Sequence, residues 1–290
     1  MSRFTVQPIP TALGHEHEER FHAHDDPALG YTHLAVPRLS GLAMPGAVFL
    51  SSGTARTGSD VRLFLTGVAI ISLGGLASAV AYIVTWFLST LLPGLPLPAL
   101  LLHVALPGEM PHYALWQAGL QVLVFVCFLL VLRASPLAGY HAAEHMTVAC
   151  IETYGDVVEE WVRRMPRAHK RCGTNLLAGV IPAMLVGLPL LSYNLMAAGA
   201  VAVLGWAYRM QIGYVIQQYF TTKPPSDKQL AAGIAAGRRI MHLWRTNPDP
   251  PLTSLQRIWY RGFVQMLAGA LAGSWLIGFL FDHLHIWLDW

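Results

Sequence analysis

The chain has 290 residues, of which 54% are hydrophobic and only 12% charged. Soluble domains carry about 25% charged residues, so a water-soluble globule is a poor fit and lipid is the expected main solvent. The net charge of +3 argues against nucleic acid as a partner, and the placement of the charges matters more than their sum. The three cysteines, Cys127, Cys150 and Cys172, match no disulfide framework and fit reduced thiols in or near a cytosol. Cys127 lies in an apolar run and is expected to pack.

Residues 1–60 are polar, rich in proline, charge and histidine, and show no apolar period. They are expected to be disordered, cytoplasmic and without a cleavable signal. His15, His17, His22 and His24 alternate there with acids, a pattern that binds metal weakly.

Four apolar runs are long enough to span a bilayer, which takes roughly twenty residues. Leu63 to Leu92 is the first and Leu115 to Leu132 the second. Gly173 to Tyr208 is uncharged but too long for one helix. Pro182, Pro189 and the pair Tyr193-Asn194 break it, so it reads as a hairpin of two short helices. Gly262 to Phe281 is the last. The fold class expected is therefore all-α: a polytopic membrane protein with about five spans, including a short hairpin, plus cytoplasmic helices. The membrane domain would cover 61–220, with a motif loop at 133–174. A cytoplasmic helical segment would cover 221–258 and an additional spanning helix 259–290.

All nineteen Lys and Arg precede the first run, come after the second, or lie between the hairpin and the last run. The loop from Pro93 to Ala114 has none, nor has the tail after Phe281. The positive-inside rule places the N-terminus, the 133–172 loop and the 209–261 segment in the cytoplasm and the C-terminus outside, in a cell inner membrane. The five prolines between Pro93 and Pro111 suggest an ordered or membrane-hugging external loop.

The stretch GYHAAEHMTVACIETYG, Gly139 to Gly155, carries the chemistry. Gly155 ends it as a helix stop would. On a helix, His141 and His145 stand one turn apart on one face, so both imidazoles can reach one metal ion. Glu144 lies beside them, and His-x-x-Glu-His is the inverzincin pattern. In such sites the glutamate takes a proton from water at the zinc. Glu152 comes seven residues after His145. A solvated polar helix at a membrane surface is the plainer reading of the same residues.

A second block, AHKRCGTN, brings His169 and Cys172 at three-residue spacing, both good zinc ligands. Its plainer reading is an interfacial anchor, with Lys170 and Arg171 meeting headgroups. The segment IQQYFTTKPPSDKQL holds Gln217, Gln218, Thr221 and Thr222 and reads as an ordinary helix exit, with Ser226 or Asp227 capping the next helix. Lys228 to Arg245 then suits an amphipathic cytoplasmic helix. Arg209 stands within the second arm of the hairpin, where it is expected to snorkel.

These three blocks, in this order, resemble the YqhQ-like bacterial membrane proteins, a family of unknown function labelled as predicted metal-dependent enzymes. The resemblance covers about Arg133 to Ala236. It falls on Tyr140, His141, Glu144, His145, Glu152, His169, Arg171, Cys172, Gly173, Thr221, Thr222, Pro225 and Asp227. Ala142, Met146 and Phe220 depart from the family pattern. Its glycine-rich N-terminal block is hard to see in Leu39 to Leu50, and the fifth helix looks like an addition.

Residues and resemblance together point to a membrane-embedded metal-dependent enzyme, zinc being the expected cofactor among divalent transition metals, and to a hydrolase at the cytoplasmic membrane face. His141 and His145 would be ligands, Glu144 the general base, and His169, Cys172 or Glu152 would complete the coordination. The partners expected are the lipid bilayer, and membrane proteins or a second copy of this chain. The alternative is a non-catalytic subunit or scaffold of a larger complex that uses the His/Cys cluster structurally. A metal transporter fits least, since the spans hold few polar residues.

Overall fold

Long uncharged runs leave the backbone only one way to satisfy its polar groups in lipid, which is helix. A computed structural model of the protein describes residues 39–41, 48–50, 56–92, 97–102, 112–246, 253–260 and 262–287. The expectations for residues 1–38, including His15, His17, His22 and His24, and for the tail after 287 fall outside these. So does most of the proline-rich loop.

The described body is helical, as the sequence predicts. Helix α1, Asp60–Leu91, starts at an N-cap where Ser59 accepts from the Arg62 N–H. The short α2, Leu97–Leu101, folds back on α1 and α3; Gln117 of α3 reaches the Leu100 carbonyl. Helix α3 is Tyr113–Ala134, and α4, Leu137–Tyr154, begins after a break of two residues. A single turn, α5 (Glu159–Val162), leads to the irregular stretch before α6, Gly173–Pro182. Pro182 cannot donate to the preceding turn. The chain continues through a π-helical turn, Ala183–Gly187, and α7, Leu188–Leu190. Gly173–Leu190 is thus one apolar run long enough to cross a membrane.

The expected hairpin turns at Tyr193-Asn194. Asn194 caps α8, Leu195–Ala207, by accepting from the Ala197 N–H. The two arms meet where Gly179, Pro182 and Gly205 leave room. At Tyr208 the second arm bends by 68° into α9, Arg209–Ile216, and a π-turn, Gln217–Thr221. Arg209 sits at the bend. Its guanidinium donates to the Trp206 carbonyl and lies 4.6 Å from the Trp206 ring centroid.

Helix α10, Asp227–Thr246, is amphipathic and buries Leu230, Ile234, Ile240 and Met241 on one face. A capping box opens it: Gln229 N–H donates to Ser226 Oγ and Ser226 N–H to Gln229 Oε1. Helices α11, Ser254–Tyr260, and α12, Phe263–Trp287, complete the chain. Among the described residues, four helices are long and apolar enough to cross a membrane, and a fifth if the bent second arm counts as one span. Their surfaces are rich in exposed Leu, Ile, Val, Phe and Trp, among them Ile83, Phe87, Val203, Leu271 and Trp275. Apolar surface on this scale suits a lipid environment.

Helices α1 and α12 touch closely through glycines. A Cβ at Gly269 would strike the Phe64 carbonyl, and one at Gly67 the Met266 carbonyl. Gly269 and Gly273 form the G-x-x-x-G spacing that lets membrane helices approach. Cys127 packs with Ala77 and Ala81 between α1 and α3, as its apolar setting suggests.

Helix α4 differs from the spans. It is 18 residues long yet buried on every side from Ala138 to Ile151, with only Tyr140 partly open. It packs chiefly on α10, where Gly233 faces Ala143 and Gly237 faces Thr147. Within 1–60, expected to lack regular structure, strands β1, Leu39–Gly41, and β2, Val48–Leu50, pair antiparallel and contact α4 and α10 respectively. The 133–174 segment is therefore built around an enclosed helix rather than a loop.

Candidate metal centre

A helix with His141, Glu144, His145 and Thr147 in its sequence is costly to enclose, because a buried polar group must find partners. Helix α4 solves this by aiming each histidine at a main-chain carbonyl. His141 Nδ1 lies 3.1 Å from the Thr221 carbonyl oxygen. His145 Nδ1 lies 2.6 Å from the Arg167 carbonyl oxygen. A carbonyl can only accept, so both Nδ1 atoms carry the hydrogen and both Nε2 atoms keep a free lone pair. Metal-binding histidines are oriented in this way, through the ring nitrogen that does not bind.

The lone pairs converge on one thiol. Cys172 Sγ stands 3.4 Å from His141 Nε2. His141, His145 and Cys172 each offer one ligand atom, and all three lie within 4.8 Å of one another. His145 Nε2 is buried and has no hydrogen-bond partner among the described residues, a costly state that a cation would relieve. Two nitrogens and a sulfur suit zinc and the softer divalent metals. The residues present thus fit a metal ion.

Electrostatics favour the same outcome. Burial holds the His141 imidazole down at about 4, against the partial compensation of its Thr221 hydrogen bond. Burial likewise lowers His145, and the nearby His141 lowers it further. Both rings are therefore neutral, as ligands must be. Burial alone pushes the Cys172 thiol up, but the His145 imidazole and the hydrogen bonds with Thr174 outweigh it and bring the thiol below its ordinary value. Cys172 is also the N-cap of α6, where its sulfur accepts from the Thr174 N–H. Helix N-termini favour the thiolate.

Glu144, 1% exposed, precedes His145 on the same buried helix. His169 and Glu152 form a neighbouring pair, with His169 Nε2 3.1 Å from Glu152 Oε2. Arg171 makes an ion pair with the other Glu152 oxygen. Burial, and then the Lys170 charge, lower His169 to about 4. The His145 and His169 ring centroids are 5.7 Å apart. The structure thus brings His141, His145 and Cys172 into one group, with His169 and Glu152 paired beside it.

Residues 67–204 match a family described as "Protein of unknown function (DUF1385)". The matched region contains α4, the 163–172 stretch and most of the hairpin, hence all three group members. No curated protein and no solved structure matches the chain.

The frame that holds the 163–172 stretch is not evident from the sequence. Gln217, 1% exposed, accepts from the His169 N–H at 2.8 Å and donates to Asn175 Oδ1 at 2.7 Å. Asn175 donates to the carbonyls of His169 and Lys170. Its only sequence signal is two uncharged amides beside the motif blocks, and by sequence Gln217 reads as part of a helix exit. The π-turn serves the same frame. It presents the Thr221 carbonyl to His141, while the Thr222 carbonyl accepts from Arg133 at 2.7 Å. Gln217→Leu should remove two buried hydrogen bonds and cost roughly 2–5 kcal/mol. Thermal unfolding in detergent checks this, and an unchanged midpoint would show that the amide frame does not hold the stretch.

Proposed function

We propose that the protein is a membrane-embedded, metal-dependent enzyme, zinc-dependent and hydrolytic, acting at the cytoplasmic membrane face. One observation carries this reading. Two histidines have their tautomers fixed by main-chain carbonyls and turn their free nitrogens towards one thiol.

His141, His145 and Cys172 would hold the metal. Three protein ligands are the number found in catalytic zinc sites, which keep a fourth position open. A bound zinc ion supplies a Lewis-acid centre there. Glu144 would take a proton from the attacking water and return it to the leaving group. Glu152 and His169 would stand ready as further donors or as a path for that proton. Arg171 would hold the Glu152 carboxylate in place through their ion pair. The one-sided distribution of Lys and Arg supports a cytoplasmic site, with the N-terminus inside and the C-terminus outside. The resemblance to the YqhQ-like proteins supports the metal more than the reaction.

The test is metal analysis of the detergent-purified full chain, paired with hydrolysis assays on reporter peptides and lipid esters. Glu144→Gln should keep the metal and lower turnover by at least about a hundredfold. Clearly substoichiometric metal in the native protein would sink the proposal.

A second reading is favoured by the depth of the group, since all three ligands are buried. The metal would then join α4, the 163–172 stretch and α6 inside a non-catalytic subunit or scaffold. Full metal occupancy with four protein ligands, and turnover indifferent to Glu144→Gln, would establish that reading.

A further inference from the structure

A cavity of about 650 Å³ lies apart from the metal group and shares none of its residues. It is open, and three helices build most of it: the start of α1, the start of α4 and the middle of α10. Arg62, Leu65, Ala69, Tyr140, Ala235 and Arg239 are among its walls.

The chemistry of its wall changes along α1. Arg62 stands near the start of the span, and Leu65 and Ala69 continue the same face at helical spacing. Over those seven residues the wall climbs about 10 Å from a guanidinium to aliphatic carbon. Arg239 adds a second guanidinium from α10, and Tyr140 a phenol from α4. Neither arginine has an ion-pair partner among the described residues. Asp60, close by in sequence, is taken by Arg56 and Gln265. Two such guanidinium groups above an apolar groove at the head of a spanning helix complement an anion that carries an acyl chain.

We infer that this groove binds the anionic headgroup of a membrane phospholipid, Arg62 and Arg239 gripping the phosphate while the acyl chain lies along Leu65 and Ala69. Arginine suits that task because its planar fork meets phosphate oxygens in pairs. Phosphate alone would satisfy the guanidinium groups but would leave the apolar wall unused. The groove stands apart from the proposed enzyme function, because none of its residues is a proposed ligand or base.

The experiment uses the full chain, purified in mild detergent and incubated with mixed micelles of phosphatidylglycerol or phosphatidylcholine. Lipid retained per chain is counted by native mass spectrometry. Phosphatidylglycerol should be retained at least about tenfold over phosphatidylcholine. Arg62→Gln with Arg239→Gln should abolish that preference, while Arg62→Lys with Arg239→Lys keeps part of it. Ala235→Trp, at an exposed position, should block the groove without touching either charge. Metal content should be the same in all these variants. Equal retention of the two lipids, or a preference that survives both the Gln pair and Ala235→Trp, would overturn the inference. Displacement of the lipid by millimolar inorganic phosphate would overturn the lipid as ligand in favour of a free anion. Loss of metal from the native chain would count against the proposed enzyme and leave this result standing.

Discussion

His145→Ala should empty the metal group. The substitution removes one of three ligand atoms that lie within 4.8 Å of one another and leaves the Arg167 carbonyl, now bonded to His145 Nδ1, without that donor. Loss of an orienting neighbour typically weakens a metal site 10–100-fold, so loss of a ligand should exceed about a hundredfold. Bound metal should fall from about one per chain to a trace at micromolar free zinc. The fold should suffer too, by roughly 1 kcal/mol, for the stranded, partly buried carbonyl. Elemental analysis and thermal unfolding measure the two effects separately. Cys172→Ser is the sharper control, because it keeps an N-cap acceptor for the Thr174 N–H while replacing the soft sulfur. It should lose metal with little loss of stability. Metal retained in both variants would remove this group from consideration.

Gly269→Leu should separate α12 from α1. The new Cβ would meet the main-chain carbonyl of Phe64, and a main chain inside a helix cannot yield as a flexible side chain can. Overpacking in a core usually costs about 1–3 kcal/mol, and here the upper end or more is expected. The midpoint of thermal unfolding in detergent should drop by several degrees, and proteases should cut α12 free at lower temperature. Gly278→Leu, further along the same helix, has nothing within 4 Å of its Cβ and should behave as the native protein does. Equal behaviour of the two variants would show that the close approach contributes nothing.

Much of the architecture could be read directly from the residues. Absence of charge over Leu63–Leu92 and Leu115–Leu132 marks spans, because the lipid tolerates so little else. Asn194 and Tyr193 marked the hairpin turn for the same reason. The bend at Tyr208 was less visible, since no proline causes it and Trp206 with Arg209 looks like an interfacial anchor. The motif helix was legible through its four-residue histidine spacing. Its full burial was not, because Ala142, Ala143 and Ala149 are as compatible with an exposed helix as with an enclosed one. What encloses it is the small-residue face of α10, Gly233 and Gly237, whose meaning depends on a partner far away in sequence. The acceptors of the two histidines were illegible in principle: a carbonyl belongs to every residue and leaves no mark in the alphabet.

Aiming by the main chain changes how such a centre can vary. The groups that orient His141 and His145 belong to the backbone at Thr221 and Arg167, so no side-chain replacement at those two positions deletes them. Thr221 is itself buried, yet another small residue there would still present its oxygen, provided the local winding is kept. The vulnerable quantity is chain length. Removing one residue from Gln217–Thr221 would take away the extra residue of the wide turn and with it the local winding that points the Thr221 carbonyl at His141. The centre should therefore drift freely in letters around these carbonyls while being intolerant of gaps there.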